Sequence, residues 1–390
     1  MIELRGITWD HPRGLAPLVA TAHVLQLADP SLSIRWEARS LHAFGAQPLS
    51  ALAGEFDLLV LDHPFVGTVA LEQSLLPLET VLPAPFLTEQ ATDSVGQSHA
   101  SYRYGGHQWA LAIDAATQVS AYRPDLLAAL GCSPPCSWPE VLQFAQTFPT
   151  RLALPLTPVN AISCFLTLCA ARGETPMAAN DHVVSRQQGS DALHWLIGLL
   201  RAAHPASLQL DPPTALEQLS ASDSIAFIPL VFGYSNYSRP NQQGHPCRFG
   251  PPPVMPPCSR PRGSLLGGAG LAISARCQHV EAAVRFARLA ADPTWQRTGY
   301  VLAGGQPGNR QAWVDPLVNA ATGGFFSATL EAHELAYLRP RYPGYPAFQD
   351  ELGHLLHRFL REGGEPDELL DRFDWLYRSS LERTGGAPAS

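Results

Sequence analysis

Two short segments carry the same unusual set of side chains. Trp9-Asp10-His11-Pro12-Arg13-Gly14 places an aromatic ring, a carboxylate, an imidazole and a guanidinium within five positions. Asp62-His63-Pro64-Phe65-Val66-Gly67 repeats the Asp-His-Pro core with a phenyl ring behind it. Trp9 can stack on a sugar ring or cover a cation, and Arg13 can grip a carboxylate through two parallel N–H bonds. If the segments face each other, Asp10, His11, Asp62 and His63 make a set of two acids and two imidazoles. Such a set can hold a divalent metal. It can also do acid–base work, with His11 or His63 as the base and Asp10 or Asp62 orienting it. A plainer reading stands beside each. Asp10 can pair with Arg13 and cap the following helix while Trp9 fills core, and Asp62 can cap a turn with His63 satisfied locally.

Phe232-Gly233-Tyr234-Ser235-Asn236-Tyr237 offers Phe232, Tyr234 and Tyr237 as an aromatic wall, or is an ordinary strand exit. Gly304-Gly305-Gln306-Pro307 with Arg310 can present backbone N–H groups, Gln306 and a guanidinium to a ligand; equally, it can only shape a turn. Asp114 and Tyr122 suit the organisation of a hinge better than ligand contact. His354 and His357 lie three apart on an expected helix and read as a solvated face. The cysteines at 132, 136, 164, 169, 247, 258 and 277 have irregular spacing and no C-x-x-C. They read as small apolar fillers in a reducing compartment.

Composition narrows the classes. In 390 residues there are 26 basic and 34 acidic side chains, a formal charge of -8. That balance argues against nucleic acid and against an anionic membrane surface as partners. Every basic residue is arginine; the absence of lysine excludes Schiff-base chemistry, a pyridoxal phosphate anchor and a Walker A loop. No dinucleotide fingerprint, G-x-S-x-G or H-E-x-x-H occurs, so neither a cofactor nor a metal is expected. No apolar run is long enough to span a bilayer. Met1 runs straight into the alternating stretch Ile2–Thr8, which reads as a strand rather than a leader. This predicts a cytoplasmic chain, or a periplasmic one if a leader has been removed.

The elements that must position these residues alternate between strand and helix. Ile2–Thr8, Ser33–Arg39 and Phe56–Leu61 read as strands, with a helix over Pro17–Gln26. This βαβ rhythm predicts a parallel sheet whose ligands sit beyond the carboxyl ends of its strands. Both Asp-His-Pro segments leave such ends. Residues 102–114 read as a glycine turn between two strands, with a separate strand at Gln118–Tyr122. Ser137-Trp138-Pro139-Glu140 is a helix start with a capping box. The Pro/Gly-rich stretch Arg239–Gly263 reads as a loop, Gly268–Ser274 as a strand, Val280–Ala290 as a helix, and residues from Phe326 onward as largely helical.

Several of these segments, in order, resemble the bacterial extracellular solute-binding proteins of ABC importers, above all the group that includes sugar-binding proteins. They are Trp109–Asp114 with Tyr122–Leu127, Pro134–Leu142, Gly267–Ser274 with His279–Ala283, and Gly304–Arg310. The resemblance implies an α/β, two-lobed fold, each lobe a mostly parallel sheet flanked by helices, closing on a small ligand. It divides the chain into 1–112 (first lobe), 113–263 (second lobe), 264–315 (return to the first lobe) and 316–382 (helices packed mainly on the second lobe). A disordered tail is expected at 383–390.

The resulting expectation is a solute-binding protein closing on a small polar or anionic metabolite, a sugar or a carboxylate, in partnership with an ABC permease. Its ligand contacts would come from Trp9, Asp10, His11, Arg13, Asp62, His63, Phe65, Phe232, Tyr234, Tyr237, Gln306 and Arg310. The alternative is a cytoplasmic enzyme on the same scaffold, using His/Asp acid–base chemistry between the lobes.

Overall fold

The computed structural model describes residues 1–44, 48–240 and 244–384. Strand β1 (Ile2–Trp9) lies between β2 (Leu32–Arg39) and β3 (Leu58–Leu61), parallel to both. All four residues of β3 are buried, as expected of a strand covered on both faces. Helix α1 (Pro12–Ala28) makes the first crossover. It begins five residues before the expected Pro17. Pro12 occupies the first helical position, where a missing N–H is harmless, and Pro17 is tolerated one turn further on.

The remaining main-sheet strands are β4 (Leu111–Tyr122), β5 (Phe227–Phe232), β6 (Arg248–Gly250) and β7 (Leu266–Ile273). The sheet runs β2-β1-β3-β7-β4-β5, with β6 also on β4. The sequence splits 111–122 into two pieces; the fold makes it one twelve-residue strand. Its first half, Leu111–Thr117, pairs with β7, and its second half, Gln118–Tyr122, pairs with β5 and β6. The glycine turn lies just upstream, in a small hairpin joining Arg103–Tyr104 to His107–Gln108. Parallel pairing holds for β1, β2 and β3. From β7 onward each pairing of named strands is antiparallel, and a parallel bridge joins Leu152 to Phe227. The expected loop 239–263 contributes β6 to the sheet.

Helix α2 (Trp138–Thr147) starts with the expected capping box, Ser137 and Glu140 each bonding the other's backbone N–H. Helices α3 (Pro158–Ala171) and α4 (Pro212–Ala221) follow, and α5 (Val280–Ala290) returns to β7. The C-terminal helices α6 (Tyr345–Glu362) and α7 (Pro366–Thr384) share one apolar core with α2 and α3, through Trp138, Phe165, Phe348, Phe373 and Tyr377 among others. A second core gathers Leu4, Leu18, Val60, Leu271 and Phe286 around β1, β3, β7 and the helices α1 and α5. Helix α7 runs to Thr384, past the start of the tail expected at 383; residues 385–390 lie outside the described residues.

Segment 337–343 ties these bodies together. Tyr337 exchanges backbone hydrogen bonds with Ser264 and Leu266 beside β7. Arg341 Nη1 donates to the carbonyls of Ala100 (2.9 Å) and Arg103 (2.8 Å), and Thr68 Oγ1 to that of Pro343 (3.0 Å).

Candidate functional site

The carboxyl end of β1 turns directly into α1. His11 is the N-cap: its Nδ1 accepts the Arg13 backbone N–H at 3.0 Å. Gly14 sits in the first helical turn, and a Cβ there would lie 2.4 Å from the Trp9 indole. The missing side chain therefore lets the Trp9 ring lie flat against the helix start, with Phe44 at 5.4 Å between centroids. Trp9 Nε1 is buried and has no acceptor among the described residues.

Arg13 points into the junction between the two halves of the sheet. Its Nε and Nη2 donate to the two oxygens of Asp114 at 2.7 and 2.5 Å, and its Nη1 to the Gly233 carbonyl at 2.8 Å. Its guanidinium lies 4.5 Å from the Tyr234 ring centroid. Burial alone would favour a neutral Arg13. The Asp114 charge more than offsets this, and the arginine pKa is raised. The grip expected for a ligand carboxylate is thus made on the protein's own Asp114.

The second Asp-His-Pro segment forms a single tight turn after β3. Asp62 caps it, accepting the His63 backbone N–H at 2.8 Å. Both Asp62 oxygens also accept from Arg339 Nη2, at 3.0 and 2.8 Å. Burial acts to raise the Asp62 pKa, but Arg339 and then His63 outweigh it, so the carboxyl is held below its ordinary range. Arg339 Nη1 donates to Gln349 at 3.1 Å, and Arg339 Nε, buried, has no partner among the described residues.

These residues border one cleft. Its walls are Trp9, Leu41, Phe44, Asp62 and Arg339 on one side and Val159, Asn160, Ser163, Pro212, Phe232 and Tyr234 on the other, with Arg13, Asp114, Ala116 and Gly267–Ala269 between. Its volume is about 170 Å³. A cavity of roughly 150 Å³ already admits a single ring. Gly268 shapes the floor: its φ of +113° suits glycine, and a Cβ would meet the Asp114 carbonyl at 2.4 Å. Asn160 and Pro212 lie in the first turns of α3 and α4, whose positive ends favour electronegative atoms. The four charged residues lining the cleft are two Arg–Asp pairs, so their formal charges cancel.

Five of the twelve residues expected from sequence line this cleft: Trp9, Arg13, Asp62, Phe232 and Tyr234. The others do not line it. Asp10 is exposed and makes neither the pair with Arg13 nor the cap. His11 packs edge-on against Tyr234 at 4.6 Å, and burial with nearby Arg13 lowers its pKa to about 4. His63 is fully buried, Nδ1 3.1 Å from Asp62 and edge-on to Tyr102; burial, then Arg339, lowers its pKa to about 4. Phe65 packs with the Trp109 core. Tyr237 donates to the Pro213 carbonyl at 3.3 Å. Gln306 is fully buried, its Nε2 donating to Ala115 O (2.7 Å) and its Oε1 accepting from Ser235 N (3.1 Å), so it staples the crossing strands. Arg310 pairs with Glu334 on the surface.

The acid–base alternative loses its groups on this geometry. His11 spends Nδ1 on the helix cap and His63 is sealed from solvent; both stay neutral near pH 7 and neither lines the cleft. Among the described residues no group of three or more His, Cys, Asp and Glu side chains is placed to hold a metal. Twelve of the lining residues escaped the sequence reading of the site, among them both remaining charged ones, Asp114, which was read as a hinge residue, and Arg339. Asp114 sits inside a strand, and Arg339 lies in a proline-rich stretch (LRPRYPGYP) that matches no motif.

Comparison with known proteins agrees with this architecture. Residues 46–322 match the family of bacterial extracellular solute-binding proteins, and the chain belongs to that family. A search of curated proteins finds no match to it. Among solved structures it resembles an ABC transporter solute-binding protein from Agrobacterium radiobacter K84 in complex with ribitol. That pair has a TM-score of 0.83 and 19% identity, covering 97% of this chain and 98% of the other. Maltose-bound MalE3 of T. maritima gives a TM-score of 0.82 at 16% identity over 97% and 100%. A solute-binding protein of Thermotoga lettingae with alpha-D-tagatose gives 0.81 at 16% over 98% and 100%. At these identities the likeness is one of fold, the two-lobed fold of periplasmic binding proteins. No helix among the described residues is long and apolar enough to cross a membrane.

Proposed function

We propose that the protein binds one sugar or sugar alcohol of single-ring size between its lobes and delivers it to an ABC permease. The carrying observation is the 170 Å³ cleft, flanked by Trp9, Phe44, Phe232 and Tyr234 and lined by four charges that cancel. Aromatic faces suit the apolar face of a sugar ring, and a site without net formal charge holds no excess attraction for a carboxylate. The ligands of the structurally similar proteins, ribitol, maltose and alpha-D-tagatose, favour the same class. The moving bodies on this reading are 1–112 with 264–315, and 113–263 with 316–382, hinged along β4 and neighbouring crossings. The shared apolar core of α2, α3, α6 and α7 supports that division.

The test is thermal unfolding of the full chain with saturating ribitol, D-mannitol, D-tagatose, maltose and D-glucose. A ligand at 100 times its Kd stabilises by about 2.7 kcal/mol, which raises the unfolding midpoint by several degrees. A flat response across the panel overturns the proposal.

A further inference from the structure

The cleft leaves one charged donor unused. Arg339 borders the cleft with 4% of its side chain exposed, and the protein satisfies only two of its three nitrogens, Nη1 on Gln349 and Nη2 on Asp62. Its Nε–H is buried and has no partner among the described residues, a state that native structures rarely leave unexplained. Asp62, beside it, keeps 23% of its side chain exposed and borders the same cleft. A charge-assisted acceptor with spare lone pairs thus lies next to a charged donor with a spare N–H, and Arg339 is held in place by the pair itself.

We infer that Arg339 and Asp62 are the specificity-determining pair of the cleft. Arg339 Nε donates to one oxygen of an uncharged polyhydroxylated solute, while Asp62 accepts from a neighbouring hydroxyl. The inference rests on the sugar or polyol reading above and adds to it the edge of the solute that is read. Two adjacent hydroxyl groups, one used as acceptor and one as donor, match this arrangement. A carboxylate offers two acceptors and no donor. It would satisfy Arg339 but bring its charge against Asp62, so acidic analogues of the solute are rejected.

The experiment is isothermal titration of the full chain with D-glucose, D-galactose, ribitol and D-mannitol, with their singly deoxygenated analogues, and with D-glucuronate and D-galacturonate. Wild type, Arg339→Lys and the surface control Arg310→Gln are compared. Lysine keeps a cation beside Asp62 but has no Nε–H at that position. For an uncharged solute that binds, Arg339→Lys is expected to weaken affinity about 10- to 100-fold. One deoxygenated analogue should bind wild type and Arg339→Lys equally weakly, because the bond is already gone in both. The matching uronate should bind wild type at least about 10-fold more weakly than the neutral solute. Unchanged affinity in folded Arg339→Lys, or a uronate that binds as tightly as its neutral parent, overturns the inference. If Arg339→Lys does not fold, the deoxygenated and uronate titrations of wild type decide alone: the inference fails if no single deoxygenation weakens binding. If wild type binds no member of the panel, the function proposed above falls, and this inference with it.

Discussion

Two arginine–aspartate pairs face the same cleft, and they are built for different tasks. Arg13–Asp114 is closed: both side chains are buried, and every guanidinium nitrogen is used by the protein, on Asp114 and on the Gly233 carbonyl across the junction. Arg339–Asp62 is unfinished: the arginine keeps an idle N–H and the aspartate is partly open to the cleft. The same two residue types therefore make a fastening in one place and a reading head in the other. What separates them is the number of partners the protein supplies, not the chemistry of the pair.

The sharpest way to break this contrast is to remove each aspartate and compare. Asp114→Ala leaves Arg13 buried and uncompensated and should cost about 3–5 kcal/mol in denaturant unfolding. A second test uses acid. The His63 pKa, lowered to about 4 from 6.5, means that the unfolded chain takes up a proton that the folded one refuses. Between pH 6.5 and 4 the unfolded state therefore gains, and stability falls as pH falls, by about 3 kcal/mol from this residue. His63→Asn should flatten the pH profile over that window; an unchanged slope would show that His63 does not contribute. Asp62→Ala should cost less than Asp114→Ala, about 1–3 kcal/mol, because Asp62 is 23% exposed against 2% for Asp114, so water from the cleft can replace its carboxylate beside the buried Arg339. Its larger consequence should fall on ligand affinity. The smallest effect belongs to Arg310→Gln on the exposed pair with Glu334, expected within about 0.5 kcal/mol of wild type. If Asp62→Ala proves as damaging to stability as Asp114→Ala, with ligand affinity untouched, the distinction between the pairs is lost.

Much of the architecture was legible because it is written locally. The apolar run of β3, the alternation in β1 and β2 and the capping box at Ser137 each depend on residues a few positions apart. The loop after β1 was legible as a cleft element because parallel strands deliver their carboxyl ends to one side. The roles within that loop were not. Whether Arg13 meets a ligand or Asp114 depends on a residue 101 positions away. His11 offered the same imidazole to a solute and to a helix cap, and the nearby Arg13 N–H took it. The continuity of β4 was hidden by Asp114, a polar residue in an apolar stretch that reads as a break until its arginine partner is known. Arg339 was invisible because an arginine in a proline-rich stretch carries no periodicity.

Strand β4 has one more consequence. Since its two halves hydrogen-bond to different neighbours, neither lobe contains a complete set of strands without borrowing it. Severing the backbone near Thr117 and separating the pieces would leave Gln118–Tyr122 paired with β5 and β6, but would part β7 from both of its neighbours, β3 and Leu111–Thr117. The first lobe should accordingly regain its full sheet only when the complementary fragments are mixed, because β7 comes from one piece and the strands on either side of it from the other.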